Sequence, residues 1–335
     1  MPSLSRRRLL TITAAVSLGA GLGLGRRALA ARPSGGEPAA LIRWTGRALG
    51  ADSEIRLYAD DPAQGREVLA ECVDELVRLE SALNLFHPDS ALCKLNRDGV
   101  LENPPLDLVR AIADANAAAN ASDGAFDITV QPYWKAWADS LAATGKPPKN
   151  LDQLRSLVDW KSVEADTDRI RLPKPGMALT LNGMGQGYIT DRVSELLMRK
   201  GYPHVLVDLG ELRAPATLPD GSPWAVAVRD PNDFNRDLRR LSLANGGMAT
   251  SEAYGSSFRV GQHDGHILHP DSGQRALTVA TVTVMAPTAT IADGLSTAIA
   301  VVGPDLDRAR AILKAGGGTG ALIMDMQGKI VTLSV

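Results

Sequence analysis

Asp293, Ser296 and Thr297 set one carboxylate and two hydroxyls at the i, i+3, i+4 spacing that shares a helix face. They stand in a mostly apolar run, residues 286–303, APTATIADGLSTAIAVVG. One carboxylate with one or two hydroxyls suits a hard cation such as Mg²⁺, which takes oxygen ligands and keeps places for water and phosphate. A buried helix start, whose Asp and hydroxyls satisfy backbone groups, uses the same residues. Upstream, NGMGQGY at 182–188 places glycines at 183, 185 and 187 between an expected strand and an expected helix. Such glycines let backbone amides approach a ligand, and a helix N-terminus favours an anion. A structural turn fits equally well. The spacing is neither the Rossmann nor the P-loop pattern.

The elements that must position these groups are legible from periodicity. Pro62 opens a helix running to about Leu83, with Leu69, Cys72, Val73, Leu76, Leu79 and Leu83 as its apolar stripe. Residues 41–58 read as two β runs around 46–51, residues 84–90 as a loop, and Leu106–Ala121 as an Ala-rich helix. The stretch 125–130 is expected to be a strand, 132–137 a helical turn, and 142–153 a surface loop. Strands are expected near 170–172, 178–181, 204–209, 224–229, 238–243, 257–260 and 278–286, with a helix over 189–200. Residues 249–254 and 266–273 read as polar connections. A helix near 307–314 and a hairpin turning at Gln327-Gly328 close the chain. Strands and helices mix without strict alternation, which predicts an α+β fold rather than a doubly wound sheet.

The first thirty residues are set apart from that fold. Arg6-Arg7-Arg8, a weakly apolar stretch and Ala28-Leu29-Ala30 resemble a twin-arginine export signal with its cleavage site. A linker over 31–40 follows. The expected product is soluble and periplasmic, since no later segment reaches the roughly 18 apolar residues of a membrane span. Five of the 36 basic residues lie in that leader, so 31 face 38 acidic ones, a balance of 31 − 38 = −7. Such a field disfavours nucleic acid or an anionic membrane as main partner. Cys72 and Cys93 carry no zinc pattern, and a free buried thiol at Cys72 is favoured over a bridge.

Seven stretches, in order, resemble the ApbE family of FAD:protein FMN transferases. They are FHPDSALCKLN at 86–96, GAFDITVQP at 124–132, LNGMGQGYITDRV at 181–193, VLVDLGE at 205–211, ATSEAY at 249–254, HILHPDSG at 266–273 and ADGLSTA at 292–298. The resemblance implies one α+β catalytic domain over 41–335 with a mixed, largely antiparallel sheet and packed helices. It implies that FAD and Mg²⁺ are bound and that FMN moves from FAD to a Thr hydroxyl of an acceptor flavoprotein, releasing AMP. The acceptor would be a periplasm-facing domain, as in membrane electron-transport complexes. By the same resemblance Asp293, Thr297 and the Gly183 carbonyl are metal ligands with Ser296 beside them. Leu49, Phe86, Ala125, Phe126, Asp127, Thr180, Gln186 and Ile267 match the flavin and adenine pocket, and His266 matches the proposed base. The chain departs from the pattern at Thr180 (often Asp), Gln186 (often Lys or Glu), Glu252 (often Gly) and His269 (usually acidic). A Mg²⁺-dependent FAD pyrophosphatase and a non-catalytic flavin-binding protein are the competing readings.

Overall fold

The computed structural model describes residues 39–254, 258 and 265–335. The expected leader, most of the linker, His263 and nearly all of the strand expected over 257–260 lie outside the described residues. Strands β1 (Ala40–Ala48) and β2 (Ala51–Ala59) form a hairpin, followed by helix α1 (Pro62–Leu83). Next come α2 (Ala91–Asp98), β3 (Val100–Glu102), α3 (Leu106–Ala121), α4 (Gln131–Thr144) and the single turn α5 (Leu151–Leu154). The short strands β4 (Glu164–Ala165) and β5 (Arg169–Arg171) precede α6 (Gly185–Arg199), β6 (Val205–Asp208) and β7 (Leu212–Ala214). A long hairpin, β8 (Trp224–Asp230) and β9 (Asp233–Leu243), leads into β10 (Gly246–Glu252) and β11 (Val279–Ala286). Helices α7 (Ala289–Val302) and α8 (Leu306–Ala315) and the hairpin β12 (Gly320–Asp325), β13 (Ile330–Ser334) complete the chain.

Eight strands make the principal sheet in the order β1-β2-β6-β7-β10-β11-β12-β13, and its neighbours pair antiparallel. Both faces are covered, and the two-residue strand period sorts side chains between them. Val205, Val207, Ala249, Val282, Val284, Ala321 and Ile323 join the helices in the main core. Leu206, Met248 and Leu322 face the other way, packing with Trp224, Val226 and Val228 of the β8–β9 ribbon. The α+β expectation is met. Helix α7 lies on β10 and β11 and against α3 and α6, so the cation-type residues enter the fold at the sheet–helix boundary.

Helices α1 and α3 run as the periodicity requires. Asp61 caps α1 by accepting from the amides of Ala63 and Gln64. Several other expectations are corrected. Residues 125–130 form no strand: Asp127 caps a 3-10 turn over Ile128–Val130, because its side chain offers the Thr129 amide a nearer partner than a ladder would. Residues 178–181 are extended but unpaired as a strand. Asn96 supplies both bonds that a neighbouring strand would give Leu179, donating to its carbonyl at 2.8 Å and accepting from its amide at 2.7 Å. Helix α6 starts four residues earlier than expected, taking Gly185 and Gly187 into its first turn. The helical turn at 132–137 is the body of α4, which together with α5 takes in the ends of the expected 142–153 loop. Residues 249–252 are not a polar connection but most of β10, deep in the sheet, where the Thr250 and Thr283 hydroxyls satisfy each other at 2.9 Å. Short α2, capped by Ser90, was not anticipated. Both cysteines are free thiols. Burial pushes Cys72 up to about 12.

Candidate active site

The glycine loop and α7 meet side chain to backbone. The Thr297 hydroxyl donates to the Gly183 carbonyl at 3.3 Å, and one carboxylate oxygen of Asp293 accepts from the Gly187 amide at 3.0 Å. Glycine at 187 is a steric requirement: a Cβ there would lie 2.5 Å from the Ala289 carbonyl oxygen and 2.9 Å from the Asp293 Cβ. The amide exposed by this glycine therefore goes to Asp293 rather than to a ligand anion. That corrects the simplest reading of the glycine loop.

Three hydroxyls cluster above Gly183. Ser296 is fully buried, donates to the Asp293 carbonyl at 2.9 Å, and shares a hydrogen bond with Ser251 Oγ at 2.8 Å. Ser251 Oγ also lies 3.2 Å from Thr297 Oγ1. Sequence reasoning missed Ser251, although it flagged the run ATSEAY; reading that run as a strand would have turned Ser251 toward α7 and Thr250 away.

The electrostatics of this corner are those of carboxyl groups short of water. Burial pushes Asp293 up to about 7. Glu211, which accepts from the Thr250 amide at 3.0 Å, is raised well above the usual range, first by burial and then by the neighbouring Asp293 charge. Glu252 is raised to about 7, again chiefly by burial. Among the described residues no three His, Cys, Asp or Glu side chains converge as a metal cluster. The donor set is one buried carboxylate, a hydroxyl and a carbonyl, all oxygen. That set fits Mg²⁺, which keeps several positions for water and phosphate, and a cation would favour the ionised form that burial disfavours.

The aromatic and apolar residues expected to hold planar rings surround the same loop. Phe126 Cε2 comes within 3.1 Å of where a Gly183 Cβ would stand, and Leu49 Cδ1 within 3.8 Å of the corresponding point at Gly185. Leu49 occupies the β1–β2 turn at φ 46°, its amide donating to Glu80 Oε1 at 2.6 Å. This positive φ is costly for a branched side chain and fixes the direction in which Leu49 projects. Ala125 and Phe126 are buried behind α3, where the Ser122 hydroxyl accepts from the Phe126 amide at 3.0 Å. Asp127 is buried, accepts from the amide and hydroxyl of Thr129, and is raised by burial. Thr180 is tied to Ile128 through its amide at 2.8 Å, which links the 3-10 turn to the approach to the glycine loop. The Gln186 amide rests on Gly210, where a Cβ would come within 2.5 Å of Nε2.

Other expected residues lie on separate elements. Phe86 is in the loop after α1, 48% exposed, edge-on to Trp134 at 6.5 Å between ring centres. Ile267 is buried, its carbonyl accepting from the Ala276 amide at 2.9 Å, and His266 beside it is half-buried. His269 belongs to a tight turn, its carbonyl receiving the amides of Ser272 and Gly273, and burial lowers its imidazole. A cleft of about 630 Å³ opens beside Asp127, with Gly124, Trp160, Lys161 and Lys174 in its wall. Of the expected pocket residues only Asp127 reaches it.

Known proteins resemble this chain in sequence and in shape. Residues 49–323 match the model of the ApbE family. The FAD:protein FMN transferase of Haemophilus influenzae is 26% identical over 283 residues, covering 79% of this chain and 82% of that protein. The enzyme of the same name from Treponema pallidum is 28% identical over 301 residues, covering 82% of each. Among solved structures, the apo form of the flavinyl transferase ApbE from Pseudomonas stutzeri superposes with a TM-score of 0.74 at 27% identity, over 89% of this chain and 96% of that one. The ApbE protein from Thermotoga maritima gives 0.78 at 25% identity, over 87% and 96%.

Proposed function

The chain belongs to the ApbE family and is an FAD:protein FMN transferase, and from that premise we propose how its own residues do the work. The observation that carries the reading is the junction of the glycine loop with α7, where Thr297 meets the Gly183 carbonyl beside Phe126 and, one turn away, Asp293 meets the Gly187 amide. Asp293, Thr297 and Gly183 would hold Mg²⁺, with Ser251 hydrogen-bonded to the Thr297 hydroxyl and itself held by Ser296. When bound, Mg²⁺ offsets the negative charge on the pyrophosphate oxygens of FAD. Leu49, Phe126 and Ala125 supply the apolar wall for flat rings, and Phe86 and Ile267 extend it. Asp127, Thr180 and Gln186 offer hydrogen bonds to ring or ribose groups.

The acceptor Thr oxygen attacks the phosphorus of the FMN half, and its bond to the bridging oxygen of the pyrophosphate breaks. His266 takes the hydroxyl proton as that oxygen becomes bonded, and AMP leaves with the bridging oxygen. Thr180 and Gln186 keep hydrogen-bonding ability without charge, so at these two positions FAD is held by neutral contacts. No helix among the described residues is long and apolar enough to cross a membrane. The resemblance of the first thirty residues to a twin-arginine leader supports a folded, exported protein that acts on a periplasm-facing acceptor domain.

The test incubates the mature protein with FAD, Mg²⁺ and an acceptor domain carrying a target Thr, followed by a denaturing gel under ultraviolet light. A fluorescent acceptor band is the expected result. FMN and AMP without a band would make the enzyme a pyrophosphatase, and intact FAD would make it a carrier.

A further inference from the structure

The contacts of the glycine loop and α6 with α7 form a ladder with a step of one helical turn. Gly183 meets Thr297 and Gly187 meets Asp293, each step four residues along both strands of chain, in opposite directions. The next rung joins Asp191 to Ala289, and nothing in the chemistry above uses it. Asp191 Oδ1 accepts from the Ala289 amide at 3.0 Å. Its Oδ2 accepts from the Thr290 amide at 2.8 Å and the Thr290 hydroxyl at 2.6 Å. Arg213 Nε on β7 stands 3.3 Å from Oδ1, and Asp191 itself is 3% exposed.

This rung completes the capping of α7 in an unusual way. A helix leaves four amides at its start without partners, and the preceding residue commonly supplies the cap. Here Thr288 serves Ile291 through its hydroxyl, and its carbonyl accepts the first intrahelical bond, from Ala292. The amides of Ala289 and Thr290 are served by the other helix. The depth at which α7 sits is therefore referenced to α6, not only to its own loop. Asp293 returns the arrangement by accepting from Gly187 in the first turn of α6. Each helix start is capped by a carboxylate of its partner.

We propose that Asp191 is a positioning residue that locks the register of α6 and α7, and so sets Asp293 and Thr297 against Gly183 at the distance a cation requires. The inference rests on the reading of those three as cation ligands. Loss of the lock leaves every ligand in place chemically but lets α7 slide or tilt by a fraction of a turn. Small displacements matter for Mg²⁺, which demands near-ideal octahedral distances.

Mg²⁺ binding to the FAD-free mature protein, measured by titration calorimetry, tests this in Asp191→Asn and Thr290→Val. Asp191→Asn keeps one acceptor oxygen and turns an NH₂ toward an amide of α7. Groups that orient metal ligands commonly change affinity by about 10–100-fold, and a loss in that range is expected. Thr290→Val removes only the hydroxyl bond and should weaken binding in the same direction by less. In the transfer assay the Mg²⁺ concentration for half-maximal rate should rise by the same factor, with KM for FAD, measured at saturating Mg²⁺, unchanged. Affinity for Mg²⁺ within twofold of wild type in a folded Asp191→Asn protein, whatever its melting temperature, would overturn the proposal. A matched rise in KM for FAD would overturn it too, as the mark of general loosening. Wild-type protein that binds no Mg²⁺ would instead remove the cation reading, and the proposal with it.

Discussion

Gly187→Ala is the sharpest perturbation of the α6–α7 contact, and its size follows from the geometry. The new methyl would meet the Ala289 carbonyl oxygen at 2.5 Å, its carbon at 2.8 Å and the Asp293 Cβ at 2.9 Å. Two of those atoms are backbone, so the helices must separate rather than a side chain rotate. Overpacking of this kind costs about 1–3 kcal/mol. Stretching the hydrogen bond from Gly187 to the buried Asp293 adds about 1.5–3 kcal/mol if it is lost. Alanine returns at most about 1 kcal/mol of helix propensity. The net expectation is a loss of about 1.5–5 kcal/mol, or roughly 2–8 °C in melting temperature for a chain of this size. Gly185→Ala is the matched control. Two residues away on the same helix, its methyl would meet nothing nearer than the Leu181 Cβ at 3.5 Å, so it should melt at or slightly above wild type. Thermal unfolding followed by circular dichroism, with and without Mg²⁺, reads both. Equal melting temperatures for Gly187→Ala and Gly185→Ala would refute the close approach on which the site is built.

Asp293→Ala should abolish Mg²⁺-dependent turnover of FAD while the protein remains folded; unchanged activity would remove the metal assignment. His266→Ala should retain FAD affinity, measured by fluorescence, but transfer slowly, and a wild-type rate would exclude it as the base. Glu252 titrates near 7 in the folded protein against a normal 4.5. The native state thus binds the extra proton between those values, and stability from this group is full below about 4.5 and falls as pH rises through 7. The span is on the order of 3 kcal/mol. Urea midpoints at pH 5 and pH 8 should drop less in Glu252→Gln than in wild type, and an equal drop would count against the burial argument.

Local patterns carried much of the fold. The 3.6-residue stripe of α1, the Ala-rich run of α3 and the closing hairpin are set by neighbours in sequence, so their ends were legible. Errors fell where a side chain from elsewhere took over a backbone partner. Ile128-Thr129-Val130 has strand composition, yet the Asp127 carboxylate claims the Thr129 amide and curls the chain. Residues 178–181 have strand composition too, but Asn96, 83 residues away, stands in for the neighbouring strand. The polar run at 249–252 is a central strand because Thr283 and Ser296 answer its hydroxyls, and those partners come from other elements.

By itself the sequence determined the residue types of the candidate site and their spacing on α7, since a helix places i, i+3 and i+4 together wherever it lies. It could equally have described a buried helix start. Only the tertiary structure decided that the Gly183 carbonyl comes to Thr297 and the Gly187 amide to Asp293, because both contacts cross more than one hundred residues. It also decided that Ser296 is spent on hydrogen bonds, that Ser251 belongs to the cluster, and that Asp191 caps a helix other than its own. The physical reason is the same throughout. Buried polar groups must find partners, and which partner each finds depends on the packing of helices against the sheet rather than on anything within reach along the chain.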